Sequence, residues 1–175
     1  MTRDASHGNG QAPQAFAECV EFARDTRFAI ASTHADDGGL ASRPLTNQRV
    51  TEDGVVYLFV ALHGDTATQL TRHPAMTLSY ADPRAGRYLV LTGEATVAHD
   101  PTLASDLWSS MDAAFFPDGP SSPDLGVVTF RTTHAEIWEP EGTRAGQLAK
   151  LAARAVGLPV DGSIGRHREV DARSR

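Results

Sequence analysis

Short β-prone segments separated by glycine turns constrain the fold of this chain more than any other feature. Asp36-Asp37-Gly38-Gly39, Glu52-Asp53-Gly54 and Asp82-Pro83-Arg84-Ala85-Gly86 each interrupt an apolar pattern. Glycine tolerates the backbone angles of a tight turn without steric cost, and proline presets the position after the turn begins. Between these turns the apolar residues recur with the period of a strand. Phe28 and Ile30 alternate with small residues over 27–33, and 40–49 is the returning strand. Pro44 lies inside that return, which predicts an edge position or a bulge. Residues 55–61 are an apolar strand, and Met76, Leu78 and Tyr80 alternate on the next. A long strand over 88–98 carries Gly93 near its middle, a residue that marks a bend where a barrel closes. The last strand, 127–138, carries Val128, Phe130, Ala135 and Ile137.

The helical signals are fewer. Phe16, Cys19, Val20 and Ala23 fall at i, i+3, i+4 and i+7, one stripe of an amphipathic helix. Asp65 or Thr66 is a candidate cap for a short helix that Pro74 stops after Arg72, and Asp100-Pro101 opens another carrying Leu103, Leu107 and Trp108. Leu148, Leu151, Ala152 and Ala155 predict a helix over 147–156. The loop 112–124 is rich in proline and glycine, with Phe115-Phe116 embedded in it. The resulting expectation is a mainly β domain with peripheral helices. Its five or six strands are joined by hairpins, so the sheet is antiparallel and closes into a small barrel. Residues 1–13 read as a disordered arm, 14–170 as the domain and 171–175 as a tail; the basic run Arg166-His167-Arg168 reads as a solvated terminal segment.

Composition removes several function classes. A net charge of −6 gives no general attraction for nucleic acid or for anionic membranes, so neither is expected as a partner. The longest apolar run, 55–62, is far short of the roughly 20 residues of a membrane span. Met1 to Pro13 lacks the apolar core of a signal peptide. Cys19 is the only cysteine, which rules out an intrachain disulfide and a cysteine metal framework and fits a reducing cytoplasm. No dinucleotide-binding, Walker or nucleophile-elbow pattern occurs. The histidines at 7, 34, 63, 73, 99, 134 and 167 show no metal-ligand spacing, so no metal site is expected. Asp118 and Asp124 lie in the 112–124 loop, but no residue stands out as a general acid or base.

Four segments carry a family resemblance. They are Arg27-Phe28-Ala29-Ile30 with Ser42-Arg43-Pro44-Leu45-Thr46; Tyr57-Leu58-Phe59-Val60 with Gln69-Leu70, His73-Pro74 and Leu78-Ser79-Tyr80; Tyr88 through Thr92-Gly93-Glu94-Ala95; and Leu107-Trp108 with Phe115-Phe116-Pro117-Asp118-Gly119 and Ala135-Glu136-Ile137-Trp138. Together they resemble the general stress protein group of the pyridoxamine 5′-phosphate oxidase-like superfamily, the FMN-binding split barrels. That resemblance implies a split antiparallel β-barrel and a homodimer with flavin at the subunit interface, FMN or alternatively FAD, and a weak flavin-dependent redox activity. Pyridoxamine 5′-phosphate oxidase activity itself is not expected, because residues 157–175 do not show that enzyme's C-terminal residues.

Carried over by position, Arg43 would neutralise the flavin phosphate, a role that suits a guanidinium fork. Leu45, Thr46 and Gln48 would lie beside the ring, and Val60 and Ala61 would offer backbone groups. The family's Ser-x-Lys phosphate clamp falls on Gly64-Asp65-Thr66, which has neither the serine nor the lysine. The loss of one charge-assisted bond to phosphate weakens binding by about ten- to a hundredfold. Free N–H groups at a helix start near Thr66, and a part-time charge on His63, would offset some of it. Two alternatives stand beside flavin binding: a flavin-free binding or structural dimer with a decayed clamp, and an oxidoreductase using a deazaflavin or haem. Trp108, Phe115, Phe116 and Trp138 read as packing residues rather than ring-stacking groups, and Cys19 as a small buried hydrophobe.

Overall fold

The computed structural model describes residues 11–140 and 165–172. The helix expected over 147–156, residues 1–10 of the expected arm and residues 173–175 lie outside the described residues. In chain order the elements are α1 (Gln11–Asp25), β1 (Phe28–His34), β2 (Leu40–Val50), β3 (Val55–Ala61), α2 (Asp65–Arg72), β4 (Ala75–Asp82), β5 (Arg87–Ala98), α3 (Pro101–Leu107), a 3-10 turn (Asp112–Ala114), β6 (Leu125–Pro140) and β7 (Gly165–Asp171). Every strand pair is antiparallel, in the order β3-β2-β1-β4-β5-β6-β7, and a β3–β6 pairing closes β1 to β6 into a barrel. The expected fold class, a split antiparallel barrel with peripheral helices, is the one observed.

The split lies in two strands that change partners along their length. β2 pairs with β1 over Leu40–Thr46 and with β3 only from Asn47 onward. Pro44 therefore sits where β2 has one neighbour, and its missing N–H costs no ladder bond. β6 lies along β5 for most of its length, while its other edge takes β3 over Leu125–Arg131 and β7 over His134–Pro140. At Gly93 the β5–β6 register shifts. A β-carbon there would lie 2.0 Å from the Arg131 carbonyl oxygen, so only glycine lets the two strands approach this closely.

Leu58, Leu78, Leu89, Leu91, Phe130 and Ile137 fill the barrel and are almost fully buried. α1 adds its expected stripe, Phe16, Cys19, Val20 and Ala23, to this core. Burial pushes the Cys19 thiol up to about 11, since the thiolate would lose its hydration. The Asn47 amide donates to the Ala23 and Thr26 carbonyls at the end of α1 and accepts from the Tyr80 hydroxyl, so one half-buried side chain ties the helix to the barrel. On β1 the small residues Ala29, Ala31 and Thr33 face inward, while Phe28 and Ile30 face outward and are exposed. This places two large apolar side chains on the outside of a strand.

Three local readings are corrected. The cap of α2 is Gly64, not Asp65 or Thr66, and it supplies no side-chain acceptor. The terminal basic segment is not a solvated tail: it is β7, whose Arg168 guanidinium donates to Glu18 on α1 and Glu139 on β6, both at 2.7 Å. An unpaired stretch of β6 recruits this segment through backbone bonds, which no side-chain pattern announces. Trp138 is not packed in the core; it lies on the outer face of β6, stacked on His167 with ring centroids 4.8 Å apart.

Candidate functional site

A cleft of about 350 Å³ opens where β2 leaves β1 for β3. Its walls come from β2, the end of β3, the start of α2 and the segment after α3. Most of the surface is apolar, contributed by Phe28, Pro44, Leu45, Phe59, Phe115 and Phe116, and the polar groups are few: Thr46, Gln48, Thr66 and Asp112. Behind it, Phe59, Leu107, Leu125 and Val127 form a second small core against which Trp108 and Phe116 pack. The Phe59 ring meets Trp108 at 6.0 Å and Phe116 edge-on at 6.2 Å. Phe115 instead stands out into solvent, 74% exposed, and Phe28 across the cleft is 56% exposed.

Gln48 owes its direction to a bulge. The β2–β3 register shifts between Asn47 and Arg49, which leaves Gln48 without a partner on β3 and turned to the cleft. Its amide nitrogen donates to Asp112 Oδ1 at 2.8 Å. The other Asp112 oxygen accepts from the Ser109 backbone N–H at 2.7 Å and the Ser109 hydroxyl at 2.6 Å. Asp112 is 4% exposed, a buried carboxylate whose acceptor capacity is met by these donors. With its nitrogen held by Asp112, Gln48 leaves its carbonyl oxygen free to accept. Asp112 is the site residue that sequence reasoning missed. Of the two other aspartates in the same loop, Asp118 is exposed and Asp124 accepts from the His63 N–H. The Ser109-x-x-Asp112 spacing was the available signal.

The structure brings Leu45, Thr46 and Gln48 of β2 together with Val60 and Ala61 of β3 and with Gly64 and Thr66 at the head of α2. Arg43 and His63 do not line the cleft. Side chains alternate along a strand, so Arg43 points to the other face of β2 from Pro44 and Thr46. There its guanidinium donates to the Thr33 hydroxyl and to Gln69 Oε1 at 2.9 Å, and the Thr33 hydroxyl donates in turn to Gln69 Oε1 at 2.6 Å. Partial burial lowers the Arg43 pKa, and Asp65 opposes that shift. His63 is exposed beyond the end of β3. At the head of α2 the first helical N–H groups have no acceptor from a capping side chain, because Gly64 has none.

The described residues contain no helix long and apolar enough to cross a membrane. A family model described as pyridoxamine 5′-phosphate oxidase like matches residues 14–158, and the chain belongs to that family. No curated protein matches the sequence. Among solved structures it is similar to a general stress protein 26 homologue from Jannaschia (TM-score 0.69, 21% identity, 90% of this chain and 98% of that one). It is similar also to a general stress FMN/FAD-binding protein from Xanthomonas citri (TM-score 0.62, 19% identity, 77% and 93%). A haem-binding protein from Mycobacterium smegmatis matches at TM-score 0.61 and 16% identity, over 98% of this chain and 60% of that one. At these identities the solved structures establish the fold.

Proposed function

We propose that the cleft binds a flavin, FMN in preference to FAD, in a homodimer whose second subunit covers the open side. The observation that carries this reading is the cleft: an apolar slot with a few polar groups among its walls and a helix N-terminus at its edge. Its volume lies in the range of small-molecule sites. An isoalloxazine ring needs apolar faces and a hydrogen-bonding edge. Phe28, Pro44 and Phe116 supply the first, and the Thr46 hydroxyl and the Gln48 carbonyl oxygen supply the second. The phosphate would rest at the head of α2, on N–H groups near Gly64 and on the Thr66 hydroxyl. A bound flavin supplies hydride or single-electron transfer; the chain supplies binding, orientation and exclusion of water.

The acidic neighbour Asp65 and the lack of a lysine make this a weak phosphate site. Exposed Phe28 and Phe115 line the cleft, and Ile30 is exposed two residues along β1 from Phe28; exposed large apolar side chains of this kind mark an interface. Two-fold association is also the commonest assembly of a soluble chain. Haem is the poorer fit, because among the described residues no histidine, cysteine, methionine or tyrosine lines the cleft.

The test is an absorbance spectrum of the purified protein before and after FMN addition and desalting, repeated for Thr66→Lys. Retained flavin in the wild type supports the reading. A colourless wild type with retention gained in T66K points instead to a flavin-free protein with a decayed clamp, and a protein colourless in both forms overturns flavin binding at this cleft.

A further inference from the structure

The outer face of the β6–β7 ladder collects metal-ligand chemistry far along β6 from the cleft. β6 places His134, Glu136 and Trp138 on this face, and β7 places His167 and Glu169 opposite them, with Glu136 paired to Glu169 and Trp138 to His167. Arg166 and Arg168, one residue out of phase, belong to the other face. Two carboxylates directly across an antiparallel ladder repel each other, an arrangement that destabilises the pair unless a cation lies between them. Among the described residues no lysine or arginine is paired beside them on this face, where β5 contributes Tyr88, Val90 and Thr92.

One oxygen or nitrogen from each of Glu136, His167 and Glu169 lies within 4.8 Å of the others. His167 Nε2 is 3.2 Å from one Glu136 oxygen and 4.0 Å from a Glu169 oxygen. A tetrahedral ion with bonds near 2 Å holds its ligand atoms about 3.3 Å apart, so small rotations of exposed side chains close the site. The Trp138 indole stacks on the His167 ring with the planes 8° apart and fixes its orientation. His134 Nε2 lies 3.8 Å from the second Glu136 oxygen and can orient that carboxylate from behind.

We propose that Glu136, His167 and Glu169 form a binding site for a divalent transition-metal ion of the zinc class, clipping β7 to β6. The two carboxylates balance the ion's charge. The imidazole selects zinc-like ions over magnesium and calcium, which take oxygen ligands. The sequence hides the site because its ligands are about thirty residues apart and meet only through strand pairing.

The test is calorimetric titration of the full chain with zinc chloride, beside cobalt titration read by visible absorption. The expected result is about one equivalent of zinc per chain and cobalt bands of low coordination number. His167→Ala and Glu136→Gln each weaken zinc binding by at least about tenfold. His73→Ala, which removes the other close histidine pair (His34 and His73, 5.9 Å between centroids), leaves it unchanged. Circular dichroism of each variant checks the fold, and the wild-type cobalt spectrum needs no variant. A wild type that takes up no zinc and gives no cobalt bands, or zinc binding that survives H167A and E136Q, or binding that H73A abolishes, overturns the proposal.

Discussion

The two halves of β6 are built on opposite plans although they are one continuous strand. From Leu125 to Phe130 nearly every residue is buried, on both faces. From His134 to Trp138 the pattern alternates, with Ala135 and Ile137 buried and His134, Glu136 and Trp138 turned outward. The difference is one of cover. α3 and the segment after it lie against the first half and carry Ala104, Leu107 and Phe116 onto its outer face, beside the cleft. Among the described residues the second half packs only its inner face, against the main core, and its outer face holds histidines, carboxylates and one tryptophan. A strand buried on two sides reads as an apolar run, and one buried on a single side reads as alternation. Both pieces of chemistry argued above follow: an apolar cleft beside the covered half, a polar ladder on the open half.

Substitutions along the strand and its supports test that contrast. The largest effect is expected for Phe130→Ala, which empties a fully buried position and should destabilise the protein by about 3–5 kcal/mol in chemical denaturation. A cost below about 1 kcal/mol would break the comparison. Asp112→Ala comes next, at about 1–3 kcal/mol, because Gln48 and Ser109 lose their acceptor. It should also reduce flavin retention, which the spectrum after desalting reads separately from stability. Arg168→Ala should cost about 1 kcal/mol or less, since its two ion pairs are partly solvated. Added salt should shrink the difference between this variant and wild type; a salt-independent cost would mean that lost packing, not charge, explains it. Trp138→Ala should change stability least, by about 0.5 kcal/mol. A loss comparable to that of F130A would mean that the open half is covered in solution.

Much of the barrel was legible. The turns around Gly38, Gly54 and Gly86 each have a positive φ, and the strands they separate fall close to the expected bounds. Asp100 caps α3 with its carboxylate on the Leu103 N–H at 2.9 Å, as the Asp-Pro pair predicts. These are local matters, set by what a residue allows its own backbone to do. The cleft was legible in part: Leu45, Thr46, Gln48, Val60, Ala61, Gly64 and Thr66 meet there, while Arg43 is held away by its bonds to Thr33 and Gln69. β7 was not legible, because a strand recruited by another strand's free edge needs no apolar period of its own.

The sequence by itself determined the strand periods, the turn positions, the α1 stripe and the glycine at 93, because each depends on residues close in the chain or on one atom too many. Only the tertiary structure decided that β3 closes on β6 and which side of β1 faces out. It alone brought Asp112 to Gln48, 64 positions away, and His167 to Glu136, 31 away. Backbone pairing is blind to side-chain identity, so it can join segments whose sequences carry no sign of each other. The groups it joins acquire their chemistry only once they are neighbours.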